Sequence, residues 1–210
     1  KYPLLAEYLL ANKKRIIEQV ECYQGDLWHR FTREHNHTLY DVDKIIIPMT
    51  ARDTIATFVN GKGLYMDNAN VWFITVNGAS TDLMKAITCI INSTIFTVLG
   101  KSGANPQSGG YYKFNKQFLM PIPFPNKSVV EGADCVAELA KYYSEISELE
   151  DQYISASFNT KEIIAGQLRQ LWVDLDDICY RLYKVTDQEK QQIVNLGRTI
   201  SRINLLNGVK

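Results

Sequence analysis

The chain has 210 residues, 46% of them hydrophobic, which is enough length and apolar content to bury a core as one large domain or a domain with an appendage. Its 23 basic and 23 acidic residues cancel, so net charge gives no argument for a nucleic-acid partner and only the placement of the charges can. No apolar run reaches membrane-spanning length, no secretory pattern opens the sequence, and Cys22, Cys89, Cys135 and Cys179 lack the close CxxC spacing of a zinc site. The expectation is buried free thiols, no membrane, no metal and a cytoplasmic location.

The chain opens on Lys inside a helical pattern, which reads as a piece of a longer polypeptide. From Tyr2 to about Glu21, Leu5, Tyr8, Leu9, Ile16, Ile17 and Val20 recur at helical spacing behind Pro3, a first-turn proline, and predict one amphipathic helix. Trp28, His29, Arg30, Phe31, Arg33, His35 and His37 follow with no period, so Cys22 to Asp43 reads as irregular structure. The three histidines have neither i, i+4 pairing nor a neighbouring Cys, and a polar loop is the better reading than a metal site.

Lys44 to Met49 (KIIIPM), Thr54 to Val59 (TIATFV) and Asn70 to Val76 (NVWFITV) read as three strands, with Pro48 placing the end or edge of the first. Thr50–Asp53, Asn60–Gly63 and Tyr65–Asn68 are polar tips between them. Ser80 or Thr81 caps a single helix running to about Leu99, wide in its apolar face and stopped at Gly100. Lys101 to Gly110 then reads as a mobile, polar, donor-rich surface loop, and Tyr111 to Pro125 as an aromatic and proline-stiffened anchor. After Pro125 three helices are expected, over Ser128 to Phe158, Thr160 to Tyr183 and Thr186 to Leu206. The first two should pair antiparallel, and the third opens on the capping box Thr186-Asp187-Gln188-Glu189.

The expected architecture is therefore α+β: a small, mostly antiparallel sheet packed on helices, followed by a C-terminal helical bundle or hairpin. Three regions follow, 1–42 with the N-terminal helix and a connecting loop, 43–125 with the sheet, and 126–210 with the C-terminal helices. No GxSxG, P-loop, GxGxxG or HExxH occurs, and the acidic residues, the Asp176–Asp177 pair included, read as solvated helix faces. What is present is a set of cations and amides on loops at the ends of the sheet: Arg52, Lys62, Lys101, Ser102, Asn105, Gln107, Ser108, Lys113, Asn115 and Lys116. Lys and Arg neutralise phosphates, while Arg, Asn and Gln make paired hydrogen bonds to base edges, so these types suit DNA. Tyr111, Tyr112 and Phe114 can stack on bases, but anchoring of at least two of them in the core is the better reading.

The succession KIIIPM, a second strand, YMDNANVWFI, LMKAITCIINSTIF and GGYYKFNKQFLMPIPFP resembles the C-terminal specificity domain of TaqI-like adenine-specific DNA methyltransferases and their type IIG restriction-modification relatives. LDDICYRLYKVTDQE looks like that family's closing helix, so the resemblance spans about Lys44 to Glu189. It implies a target recognition domain that reads double-stranded DNA and presents an adenine to a separate, intramolecular S-adenosylmethionine-dependent methyltransferase domain. The family's Asn-Pro-Pro-Tyr-type motif is missing here, because Asn105-Pro106 is followed by Gln107. The resemblance thus implies a non-catalytic segment without its own cofactor, within a parent that methylates adenine with or without cleaving DNA. Two alternatives stay open: a specificity-subunit-like module of a type I restriction system, and a helical protein-interaction module without DNA binding.

Overall fold

The computed structural model describes residues 2–19, 25–29, 40–61, 64, 70–126, 130 and 132–197. The chain divides into two units, Lys1–Leu39 and Tyr40–Lys210.

In the first unit the expected single helix is two, α1 (Pro3–Ala11) and α2 (Lys13–Gln19). The break is at Asn12, whose side-chain amide donates to the Tyr8 carbonyl at 2.8 Å, a local bond that competes with the helical ladder. Neither helix contains a buried residue, so the amphipathic pattern is not used for a core here. His29 is exposed, and Cys22, His35 and His37 lie outside the described residues.

The second unit is built on β1 (Lys44–Pro48), whose isoleucines alternate so that Ile45 and Ile47 are buried and Ile46 is half-buried. It is the centre of a three-stranded antiparallel sheet, flanked by β3 (Thr57–Val59) and β4 (Val71–Ile74), with Ile45 opposite both Phe58 and Ile74. Pro48 has no N–H for a further ladder bond and ends the strand. The chain then passes through Met49, whose N–H donates to Asn70 O at 2.7 Å and whose carbonyl accepts from Phe114 N–H at 2.8 Å. It continues directly into β2 (Thr50–Ala51), which pairs with β6 (Tyr112–Lys113), and β6 pairs with β5 (Asn105–Pro106) in a second antiparallel sheet, order β2-β6-β5.

Side chains imitate strand partners along the segment that leads into and through β3. Asn92 bonds both backbone groups of Ala56, at 2.7 and 2.8 Å, and the Tyr143 hydroxyl accepts from Phe58 N–H at 3.1 Å and donates to Phe58 O at 3.3 Å. These bonds satisfy groups that an edge strand would otherwise expose. Lys44 is buried, its ammonium donating to the carbonyls of Tyr40, Val42 (3.2 Å) and Gly61 (3.3 Å).

The long helix expected after Ser80 is divided into α3 (Thr81–Asn92) and α4 (Thr94–Gly103), bent by 61°. Ser93 serves both ends: its hydroxyl donates to Ile90 O at 2.7 Å and accepts from Phe96 N–H at 3.3 Å. Asp176 completes the cap, accepting hydrogen bonds from Thr94 N–H at 2.7 Å and from the Thr94 hydroxyl. Asp176 is thus a cap for a distant helix rather than a solvated face, while Asp177 is exposed and pairs with Lys190 at 2.6 Å.

The remaining helices are α5 (Lys116–Leu119), α6 (Ala133–Ser155), α7 (Phe158–Leu182) and α8 (Asp187–Gly197). α6 packs on α3 and on α7, and α4 is held against α5, α7 and α8. Leu139 and Ile146 of α6 meet Ile164, Leu168, Trp172, Leu175 and Ile178 of α7 in one core with the isoleucines of β1 and α3. The heptad-like spacing of both helices produces this face. The capping box is present: Thr186 N–H and hydroxyl donate to Glu189 Oε2 at 2.8 and 2.7 Å, and Glu189 N–H donates back at 3.3 Å. Cys89 and Cys179 are buried thiols outside any disulfide and Cys135 is half-buried; burial pushes the Cys179 thiol well up from its ordinary range. The fold class is α+β, with the C-terminal helices following the sheet region.

No single helix among the described residues is long and apolar enough to cross a membrane. The bent pair α3 and α4 would pass on composition together, but its apolar residues, Ile90, Ile91, Ile95 and Phe96 among them, are core residues of this unit.

Candidate functional site

The second sheet gathers most of the polar residues singled out in the sequence. Thr50 lies opposite Lys113 and Lys113 opposite Asn105, so the three form one exposed row across the strands. Because side chains alternate along a strand, the neighbouring row of Ala51, Tyr112 and Pro106 takes the other face, with Ala51 buried and Tyr112 half-buried. An amide and an ammonium are therefore set side by side on a short, twisted platform.

The connection between β5 and β6 corrects the expectation of a mobile loop from Lys101 to Gly110. Lys101, Ser102 and Gly103 are the last turn of α4, Asn105 and Pro106 are a strand, and Gln107 to Tyr111 is a tight hairpin turn. Gln107 N–H donates to Tyr111 O at 2.7 Å, closing the turn. Gly109 and Gly110 sit at φ 73° and 77°, the left-handed region that a side chain would strain. The Gly-Gly pair makes the hairpin possible, and Gln107 and Ser108 are exposed at its tip.

Tyr111, Tyr112 and Phe114 divide the work of anchoring. Phe114 is buried, its carbonyl accepting from Trp72 Nε1 at 3.1 Å, and Tyr112 stacks on it with ring centroids 6.2 Å apart. Tyr111 is exposed and lies under Arg52, whose guanidinium carbon is 5.3 Å from the ring centre. Arg52 follows β2 as Tyr111 precedes β6, so antiparallel pairing puts these two at the same end of the sheet.

Lys101 differs from the free cation expected. Its ammonium pairs with Asp53 at 2.8 Å and lies 5.4 Å from the centre of the Tyr112 ring; Asp53 is 2% exposed. Ser102 turns its hydroxyl to Leu99 O at 2.7 Å, satisfying its own helix end. Asn115 precedes α5 with Oδ1 buried and without a hydrogen-bond partner among the described residues, and Lys116 is exposed beside it. Lys116 also reaches the rim of an apolar groove of about 540 Å³ lined by Trp72, Ile91, Phe96, Met120 and Phe124. Gln107 is turned back so that its amide donates to Pro106 O at 3.1 Å. Lys62 lies outside the described residues.

The arrangement therefore brings together Arg52, Asn105, Gln107, Ser108 and Lys113, sets Asn115 and Lys116 beyond Phe114 at the other end of β6, and takes Lys101 and Ser102 into intramolecular bonds. Sequence reasoning missed Asp53, whose signal was a lone carboxylate beside Arg52 in an otherwise neutral tip. It also missed Thr50, whose place in the row depends on register alone. Among the described residues no group of three His, Cys, Asp or Glu side chains is placed to hold a metal ion. The chemistry on offer is hydrogen bonding and cation contact on an exposed sheet.

The fold and this face define an α+β protein that presents a small polar sheet with a stiffened hairpin. No family model matches the chain, and no curated protein sequence matches it.

Proposed function

We propose that the chain is a sequence-specific double-stranded DNA recognition domain, part of an N6-adenine DNA methyltransferase or restriction-modification enzyme whose S-adenosylmethionine-dependent chemistry resides in another domain. The observation that carries this reading is the register that aligns Thr50, Lys113 and Asn105 in one exposed row beside the hairpin tip and Arg52. The hairpin of β5 and β6 supplies two strands of the kind that the major groove admits, where an amide reads adenine and a guanidinium reads guanine. In this reading Lys113 and Lys116 contact phosphates, and Arg52, Asn105 and Gln107 meet base edges.

The test is a titration of the chain with a random duplex pool at low and moderate salt, followed by selection of the tightest sequences. Lys113→Ala weakens all duplexes alike and lowers the salt slope by about 0.9. Arg52→Ala instead narrows the gap between selected and scrambled duplex by about 1 to 3 kcal/mol. Absence of binding at both salt concentrations overturns the proposal. It would favour a protein-interaction module, for which the exposure of Ile154, Phe158 and Ile163 around the turn between α6 and α7 speaks.

A further inference from the structure

We infer that Lys101 and Asp53 are positioning residues for Arg52, and that Lys101 does not contact DNA. This rests on the DNA-recognition reading and specifies how its reader is held. Arg52 is exposed and flexible by type, so its use in sequence reading depends on what fixes it. Three restraints converge on it. Tyr111 supports the guanidinium face at 5.3 Å. On the other side the backbone is fixed through the next residue, since the buried carboxylate of Asp53 takes the Lys101 ammonium at 2.8 Å. One residue further, the Thr54 hydroxyl donates to Ile91 O at 2.8 Å and lies 2.7 Å from the Thr97 hydroxyl, so the segment after Arg52 is bound to both α3 and α4.

Lys101 also ties the hairpin to the same point. Its ammonium lies over Tyr112, which stacks on the buried Phe114, so one cation joins the last turn of α4, the end of β2 and strand β6. A lysine so engaged has its charge already met by a buried carboxylate, and releasing it to a phosphate would break that ion pair. Its contribution to DNA binding is therefore geometric. Removing it loosens the alignment of Arg52 with the tip without removing a phosphate contact.

The experiment compares the wild-type chain with Lys101→Met, Lys101→Arg and the double variant Asp53→Asn/Lys101→Met, against the selected duplex and a scrambled one over a range of salt. The expected result for Lys101→Met is an unchanged salt slope on scrambled DNA, about a tenfold fall in the ratio of the two affinities, and recovery of that ratio in Lys101→Arg. Should Lys101→Met fail to fold, the double variant, which removes both charges of the pair, is read in its place for the same two quantities. A slope lowered by about 0.9 with the ratio intact makes Lys101 a phosphate contact and overturns this inference while leaving DNA recognition standing. An unchanged slope and an unchanged ratio also overturn it. Failure of the wild-type chain to bind any duplex instead overturns the recognition reading itself.

Discussion

Replacing Asp176 by Ala removes a cap from a helix to which it is not adjacent in sequence. Its carboxylate accepts from the backbone N–H of Thr94 at 2.7 Å and from the same residue's hydroxyl, 82 positions away. Loss of a helix N-terminal acceptor costs about 1 kcal/mol. The second bond comes from a buried donor, Thr94 being 8% exposed, so its loss adds about 1 to 2 kcal/mol. The expected destabilisation is about 2 to 3 kcal/mol, read as a lowered urea midpoint at constant slope and as a fall in Tm of about 4 to 12 °C. Thr94→Val in the Asp176→Ala background should cost less than it does alone, because both substitutions remove the bond between the Thr94 hydroxyl and Asp176. A loss below about 0.5 kcal/mol for Asp176→Ala, the range of ordinary surface changes, would refute the assignment of Asp176 as the cap of α4.

Gly100→Ala sets helix propensity against space: the added methyl would lie 3.0 Å from Thr54 Cγ2 and 3.4 Å from Phe114 Cε1. A propensity gain of about 1 kcal/mol is outweighed by overpacking of about 1 to 3 kcal/mol, so thermal unfolding should show a small net loss and an unchanged or raised Tm would contradict the packing. Glu189 is held below the ordinary carboxylate range by its bonds from Thr186. A depressed folded value means that the capping box contributes fully above the ordinary glutamate range and loses its contribution as pH falls through the lowered value. Amide exchange at residues 186 to 190 should therefore distinguish Glu189→Gln from wild type at neutral pH and converge with it in acid, whereas a pH-independent difference would count against the box.

The parts of the fold that follow from local pattern were legible in the sequence. Ile45 to Ile47, the apolar face of α7 and the Thr186–Glu189 box each declare their element within a few residues, and the α+β class follows from them. The break at Ser93 was hidden because apolar residues continue across it; only a serine that caps backward and forward at once divides α3 from α4. Asp176 and Asp53 were read or passed over as surface because their partners, Thr94 and Lys101, are remote in sequence. At the candidate site the residue types were legible but their grouping was not. Asn105 joins Lys113 through a strand containing proline and no apolar alternation, which propensity marks as loop. Pairing with β6, itself anchored by Phe114, overrides that preference.

The buried ammonium of Lys44 sets where a shortened version of this protein can begin. It reaches back to the carbonyls of Tyr40 and Val42 and forward to that of Gly61. A chain started at Tyr40 keeps all three acceptors, whereas one started at Asp43 loses two of them, and water must then take their place around the ammonium. The residues just ahead of the first strand, featureless by composition, thus belong to the folding unit as solvent for a charge that water cannot reach.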